Sequence, residues 1–135
     1  MKILLIYLLI STMYASDTKL AVEIFSKISI ALTQKTDPNM YVYTNIKDIQ
    51  EHENKLKFVK DCSKADLVLL SSIEDIPSQC EGKLLFGTRY YHLKDERVVG
   101  AFFWQKGRPN IVFYKSRLEK NNIKLDSSFN KYIEK

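Results

Sequence analysis

The sequence predicts an α/β fold: a single three-layer domain whose mixed sheet has a parallel centre and ends in a β-hairpin. Two short, continuously apolar runs at 67–70 and 84–86 are typical of parallel strands that are buried on both faces. Segments with helical periodicity separate the strand-like runs. The chain of 135 residues is 45% hydrophobic and 27% charged with only four glycines, which excludes disordered and collagen-like proteins.

The first fifteen residues predict a signal peptide. Lys2 precedes an apolar run at 3–10, and Ala15 offers a small residue for cleavage. A membrane anchor is the alternative, but crossing the hydrocarbon core takes about 20 apolar residues. We therefore expect a periplasmic or secreted protein, cleaved after Ala15, whose residues 16–135 form one domain without repeats or low-complexity linkers.

The first element of that domain is an amphipathic helix. Asp17 and Thr18 can cap its start, and the sequence at 37–39 ends it with a proline turn. Apolar side chains recur on one face at helical spacing, namely Ala21, Ile24, Phe25, Ile28, Ala31 and Leu32.

Alternating elements follow. We expect strands at 40–44, 56–59, 67–70 and 83–87, a polar helix at 45–53 and a turn or short helix at 88–93. Two further strands, 98–104 and 111–114, flank a polar turn at 105–110 and form a hairpin. Helices at 116–121 and 126–134 end the chain, the second capped by Asp126 with Phe129 and Ile133 on its apolar face.

Two cysteines each precede a predicted parallel strand. Cys62 lies five residues before Leu67, and Cys80 lies four residues before Leu84. If these strands are neighbours, both thiols lie at one edge of the sheet, and an exported protein favours a disulfide between them. Free buried thiols, and a metal or catalytic role, are the alternatives.

No motif for catalysis is present. The chain lacks a dinucleotide fingerprint, a P-loop and a glycine-flanked nucleophile, and His52 and His92 have no metal-ligand spacing. We expect both histidines at the surface. The predicted protein has no catalytic residue, metal or cofactor and is not an enzyme.

Positive charge is concentrated in the second half of the chain. Residues 83–135 contain 12 Lys and Arg against 5 Asp and Glu. An exported protein seldom meets nucleic acid, so the expected partners are an anionic ligand, an acidic protein surface or phospholipid headgroups. A solvated basic surface without a partner is the alternative.

Two groups of residues are candidate binding sites. Arg89, Tyr90 and Tyr91 follow a predicted parallel strand, where α/β sheets bind ligands, and an arginine can hold a carboxylate or phosphate. The alternative is a surface arginine beside tyrosines that pack on the core.

Trp104, Lys106 and Arg108 surround the predicted hairpin turn and form a candidate partner-binding site, because Trp and Arg anchor many interfaces. Here the alternative is a core tryptophan beside a solvated basic turn.

Three segments carry a resemblance to a known family. The cysteine and buried strand at 62–71, the hairpin at 100–113 with its Gly-Arg-Pro-Asn turn, and the tail at 117–129 resemble the YfiR-like periplasmic proteins over about residues 62 to 133. The resemblance implies a Rossmann-like fold, disulfide-dependent folding and a homodimer. It also implies a regulator that restrains an inner-membrane diguanylate cyclase by binding its extracytoplasmic part.

The sequence therefore predicts an exported, non-enzymatic regulatory protein that binds a membrane-bound sensor or signalling protein. The alternative function is a periplasmic sensor or solute-binding domain for a small anionic ligand.

Overall fold

A mixed seven-stranded sheet forms the centre of the computed structural model, which describes residues 2–43 and 55–135, with side chains from Thr18 onward. The strand order is β2-β1-β3-β4-β5-β6-β7. The strands are β1 (Asn39–Tyr43), β2 (Lys57–Phe58), β3 (Leu67–Leu70), β4 (Leu84–Gly87), β5 (Val98–Gln105), β6 (Arg108–Tyr114) and β7 (Ile133–Glu134). The helices are α1 (Lys2–Thr33) and α2 (Lys115–Lys120), with 3-10 segments at Cys62–Lys64, Ser78–Cys80, Tyr90–Lys94 and Ser127–Tyr132.

The strand directions confirm the predicted fold class. Strands β1 to β5 run parallel to one another, and β3 pairs with β4 from Leu67↔Leu84 to Leu70↔Gly87. Strand β6 then returns antiparallel to β5, so the predicted hairpin is present. The parallel strands end at one edge of the sheet, which we call the carboxyl edge, and begin at the opposite amino edge.

Helix α1 covers one face of the sheet and runs antiparallel to strands β1 to β5. Near the carboxyl edge, the Phe25 ring contacts the rings of Phe102 and Phe86, with centroids 5.1 and 6.4 Å apart. Leu32, two turns further along, lines a cavity with Leu84 at the amino edge. Burial of each such side chain contributes about 1.5–3 kcal/mol, so this face is the main apolar core.

The opposite face has a thinner cover. Side chains alternate along β3, so that Leu67 and Leu69 face α1 while Val68 and Leu70 face the second core. Over that core, the described residues place the 3-10 segments that contain Cys62, Cys80 and Leu93 rather than α-helices. The helix predicted at 45–53 lies outside the described residues.

Helix α1 begins upstream of the predicted start. The sequence prediction placed its cap at Asp17 and Thr18, whereas the helix is continuous over 32 residues from Lys2. No glycine or proline occurs between residues 2 and 33 to interrupt it.

The hairpin turn is shorter than the predicted polar segment at 105–110. Gln105 pairs with Arg108, so the turn itself is Lys106 and Gly107, with φ of 52° and 74°. Positive φ at both positions is the geometry that matches the twist of a two-residue hairpin. Pairing therefore continues into segments that the sequence predicted as loop.

At the C-terminus, the predicted helix at 126–134 is wrong. Asp126 does cap a helical segment, since its carboxylate accepts from the Ser128 amide at 3.1 Å, but that segment is a 3-10 turn. Phe129 contacts Phe113, and Ile133 then joins the sheet as β7, opposite Phe113. Ile133 and Glu134 therefore pair with the open edge of β6 instead of extending a helix.

Candidate functional site

A disulfide joins Cys62 and Cys80, as predicted. Their Cα atoms are 5.2 Å apart, and the two residues are 18 positions apart in the chain. Both lie at the amino edge because β3 and β4 are parallel neighbours. By chain-entropy arguments, such a loop closure stabilises the fold by about 3 kcal/mol.

Arg89, Tyr90 and Tyr91 lie at the carboxyl edge, directly after β4. Tyr90 is 66% exposed and Tyr91 is 48% exposed, so neither is the core tyrosine that the alternative requires. The Tyr90 ring lies edge-on to Phe103, with centroids 5.5 Å apart, and the Lys94 ammonium lies 5.8 Å from the centre of the Tyr91 ring. These residues present apolar and cationic groups to solvent.

His92 is buried, so its predicted surface position is wrong. The Nδ1 atom accepts hydrogen bonds from the backbone amides of Thr88 and Arg89, at 3.1 and 3.2 Å. Burial lowers the pKa of His92, the nearby Arg89 charge lowers it further, and the Ser71 backbone raises it. The imidazole is therefore neutral at pH 7. The other histidine, His52, lies outside the described residues.

Gly87 makes room for this imidazole. A Cβ at that position would lie 2.7 Å from the His92 Cβ and 3.3 Å from that of Ala101. The Thr88 hydroxyl also donates to the Leu70 carbonyl at 2.6 Å. The turn that carries Arg89, Tyr90 and Tyr91 is thus anchored to both β3 and β4.

Trp104, Lys106 and Arg108 lie on a hairpin that projects beyond its neighbour. Strand β4 ends where Gly87 pairs with Ala101, while β5 continues for four more residues, or about 13 Å. The Trp104 ring rests against Phe102, with centroids 6.0 Å apart, yet it is 41% exposed. The alternative of a core tryptophan is therefore wrong.

The two predicted sites lie at the same edge of the sheet, on opposite faces of β5. Consecutive residues of β5 point to opposite faces, so Phe103 supports Tyr90 on one side and Phe102 supports Trp104 on the other. We call the combined region the carboxyl-edge surface, which consists of Arg89, Tyr90, Tyr91, Trp104, Lys106 and Arg108. Within the described ranges, its three cations form no ion pair.

Acidic residues are also present at this edge. Glu74 and Asp75 follow β3, and their backbone carbonyls accept hydrogen bonds from the Tyr43 hydroxyl at 2.5 and 2.8 Å. Strand β4 lies between them and the hairpin, which carries the basic residues Lys106 and Arg108 at and beside its turn.

A groove at the amino edge has no counterpart in the sequence prediction. Its volume is about 640 Å³, and it lies beside Cys80. Charged side chains of both signs line it, namely Glu81, Lys83, Glu96, Arg97 and Lys120. The parallel pairing of β4 and β5 brings the residues before each strand together, and α2 adds Lys120.

No group of three or more His, Cys, Asp or Glu side chains in residues 18–43 and 55–135 has the arrangement of a metal site. Within residues 18–43 and 55–135, no helix is long and apolar enough to cross a membrane.

Comparisons with family models, with curated proteins and with solved structures found no match to this chain. The similarity to YfiR-like proteins thus stays a prediction from the sequence.

Proposed function

We propose that this protein is an exported, non-enzymatic regulatory protein that binds a membrane-bound signalling protein through the carboxyl-edge surface. One observation carries the proposal. Large exposed hydrophobic side chains in the described residues are Leu20, Ile30, Tyr90, Tyr91 and Trp104, and three of these five belong to that surface, beside three cations.

This composition is that of an interface. Trp, Tyr and Arg are enriched among residues whose truncation weakens protein complexes most, because they combine large apolar area with hydrogen-bonding groups. Lys106 and Arg108, at and beside the hairpin turn, would flank Trp104 with charges that attract an acidic partner. A binding surface with these properties favours a protein partner that presents carboxylates around an apolar patch.

The surface is also held in place before binding. Trp104 lies on a paired hairpin, and Tyr90 follows a turn whose amides bind His92. Because little backbone freedom is lost on association, more of the contact energy remains as affinity.

Export is supported by the disulfide and by the signal-peptide pattern. Disulfides persist outside the cytoplasm and are rare within it. Cys62–Cys80 therefore favours the same compartment as the apolar run at 3–10. From there, the protein would meet the extracytoplasmic part of a membrane protein, for which a diguanylate cyclase is the specific candidate.

Regulation requires that the protein prefer one state of its partner. A tenfold difference in affinity between an inactive and an active state corresponds to about 1.4 kcal/mol and shifts their equilibrium by the same factor. Loss of either Trp104 or Arg108 can remove that amount, since hot-spot truncations cost 2 kcal/mol or more.

The test compares source cells that lack this protein with cells that carry variants of it. We expect cyclic-di-GMP to rise in the deletion strain and to fall when the wild-type chain is restored. The double substitution Trp104→Ala and Arg108→Ala should not restore it, whereas the exposed control Lys64→Ala should. Unchanged cyclic-di-GMP in the deletion strain would exclude a cyclase as the partner.

A direct binding measurement follows from the same variants. An inner-membrane protein should co-purify with the tagged wild-type chain and with Lys64→Ala, and it should be lost with the double variant. Equal recovery with all three would exclude the carboxyl-edge surface as the binding site.

A small anionic ligand remains the second candidate. The Arg89 guanidinium is exposed beside two exposed tyrosines after β4, and no carboxylate of the described chain pairs with it. In this case Arg89→Ala would abolish binding of the anionic ligand, while the Trp104→Ala and Arg108→Ala substitutions on the hairpin would leave ligand binding intact.

A further inference from the structure

We propose that His92 is a pH-sensitive latch for the carboxyl-edge surface. The neutral imidazole holds the turn that carries Arg89, Tyr90 and Tyr91, and its protonation at acid pH releases that turn. The proposal rests on the proposed function, because the latch controls half of the proposed binding surface.

The hydrogen bonds of His92 require a neutral ring. Nδ1 accepts from two backbone amides, those of Thr88 and Arg89, at 3.1 and 3.2 Å. A ring nitrogen can accept only while it carries no proton, so the ring proton of the neutral form is on Nε2. Uptake of one proton from solvent at Nδ1 would place an N–H group against two N–H groups. Both hydrogen bonds would then be lost together.

Among the described residues, the surroundings of His92 favour the neutral ring over a positive charge. Its side chain is fully buried and packs beside Gly87 and Ala101, neither of which is polar. The Ser71 backbone, directly after β3, favours protonation, but Nε2 has no hydrogen-bond partner among the described residues. Burial outweighs that backbone effect.

The charged and titratable groups around the ring oppose protonation or lie further out. Among the described residues, Arg89 is the charged group that acts on the imidazole, and it lowers the pKa of His92. The Tyr91 ring lies edge-on at 4.7 Å, and the Lys94 ammonium lies over the outer tyrosine rather than the histidine. A charged imidazole is therefore stabilised by leaving its site for water.

Departure of the imidazole would change the binding surface. His92 fills the space above Gly87, and its two amide partners are the residues immediately before Tyr90. The Tyr90–Phe103 contact would then lose its fixed backbone support. The hairpin side, with Trp104, would keep its pairing with β6. We therefore expect acid to weaken binding by disordering one side of the carboxyl-edge surface.

The test is an NMR titration of the full chain from pH 8 to pH 5, in a His52→Asn background that leaves His92 as the only histidine. The amide signals of Thr88 and Arg89 should shift together with one midpoint below 6.5, and their hydrogen exchange should accelerate at the acid end. The His92 Nδ1 signal should show protonation at the same midpoint. Amides of Leu69 and Phe86 in the central strands should not shift.

His92→Asn is the matched control, because its amide oxygen can accept from the same two amides and does not titrate. In this variant the Thr88 and Arg89 signals should be constant over the pH range. A response of equal size in the control would overturn the latch. Global unfolding at a higher pH than the response of the two amides would also overturn it. A shift of the Thr88 and Arg89 amide signals while Nδ1 stays unprotonated would do the same. The Nδ1 signal in the His52→Asn protein decides the question even where His92→Asn does not fold.

The titration needs no partner, so the latch and the proposed function fail separately. Static amide signals would overturn the latch and leave the partner unaffected. If the latch is correct and the partner exists, co-purification with the wild-type chain should fall at least threefold between pH 7.5 and pH 5.5. With His92→Asn it should stay constant.

Discussion

Arg117 binds the backbone of Val98 across the amino edge of the sheet: its Nη1 donates to the Val98 carbonyl at 2.9 Å. The same nitrogen also donates to the carbonyls of Leu93 and Asp95, at 2.8 and 3.1 Å. One side chain thus connects α2 to the end of the 3-10 segment that contains His92 and to the start of β5. The guanidinium also lies 4.5 Å from the centre of the Tyr114 ring.

We expect Arg117→Ala to lower the free energy of unfolding by about 2–4 kcal/mol, since it leaves three backbone acceptors without a charged donor. Urea denaturation measures the effect. The exposed neighbour Lys115 pairs with Glu119 only at 4.0 Å, so Lys115→Ala should change stability by less than about 0.5 kcal/mol. Equal effects of the two substitutions would contradict the role of Arg117.

Gly87→Ala should destabilise the protein through His92. The added methyl would overlap the His92 Cβ at 2.7 Å, and overpacking of this kind costs about 1–3 kcal/mol. The Thr88 and Arg89 amide signals should also shift in NMR spectra at pH 7.5.

Gly107→Ala is the control for that substitution. It meets no atom within 4 Å, and its φ of 74° alone should cost about 1 kcal/mol. Gly107→Ala should not shift the NMR amide signals of Thr88 and Arg89. If it did, those signals would not be specific for the contact between Gly87 and His92.

The pH dependence of stability should have two separate ranges. Because the folded-state pKa of His92 is lowered, the unfolded chain binds more protons below about pH 6.5, and the free energy of unfolding falls as the pH drops. Urea denaturation at pH 7.5 and 5.5 should show this loss in wild type and in His52→Asn. His92→Asn should lose less, and an equal loss would assign the effect to another group.

The second range lies in stronger acid. The Lys35 hydrogen bond and the Asn39 amide lower the pKa of Asp66, and Arg97 lowers that of Asp95. Their contributions are present above pH 3.8 and are lost as the pH falls below it. Asp66→Asn should therefore reduce the loss of stability between pH 5 and pH 3, whereas the exposed control Asp75→Asn should not.

Removal of the disulfide should cost about 3 kcal/mol. We expect the double substitution Cys62→Ala and Cys80→Ala to lower the urea midpoint accordingly, and wild type with reductant to behave similarly. Alkylation of the denatured protein should add no mass unless reductant is present. Two alkylated cysteines without reductant would show that the bridge is absent in the exported protein.

Several elements could be predicted from local sequence because short-range patterns determine them. The buried run of β3 has the observed bounds, since four consecutive apolar residues suit a strand with a core on each face. Cys62 and Cys80 could be paired because each precedes one of two neighbouring parallel strands. Predicting this disulfide required only that β3 and β4 be neighbours in the sheet.

The tertiary structure alone decided the position of His92. Nothing in the Tyr-Tyr-His sequence distinguishes an outward ring from an inward one. The inward position of the His92 ring depends on the space above Gly87 and on the backbone amides of Thr88 and Arg89, which donate to Nδ1. For the same reason Ile133 lies in a strand: the open edge of β6 supplied backbone partners that no helical periodicity records.

The sequence by itself determined that Arg89, Tyr90 and Tyr91, and separately Trp104, Lys106 and Arg108, were candidates for binding. That both groups lie at one edge of the sheet was decided only in three dimensions. Parallel pairing brings the ends of β4 and β5 to one edge, and the overhang of β5 gives Tyr90 and Trp104 adjacent supports on opposite faces. Sequence patterns record which side chains can bind, whereas the register between strands determines which of them meet.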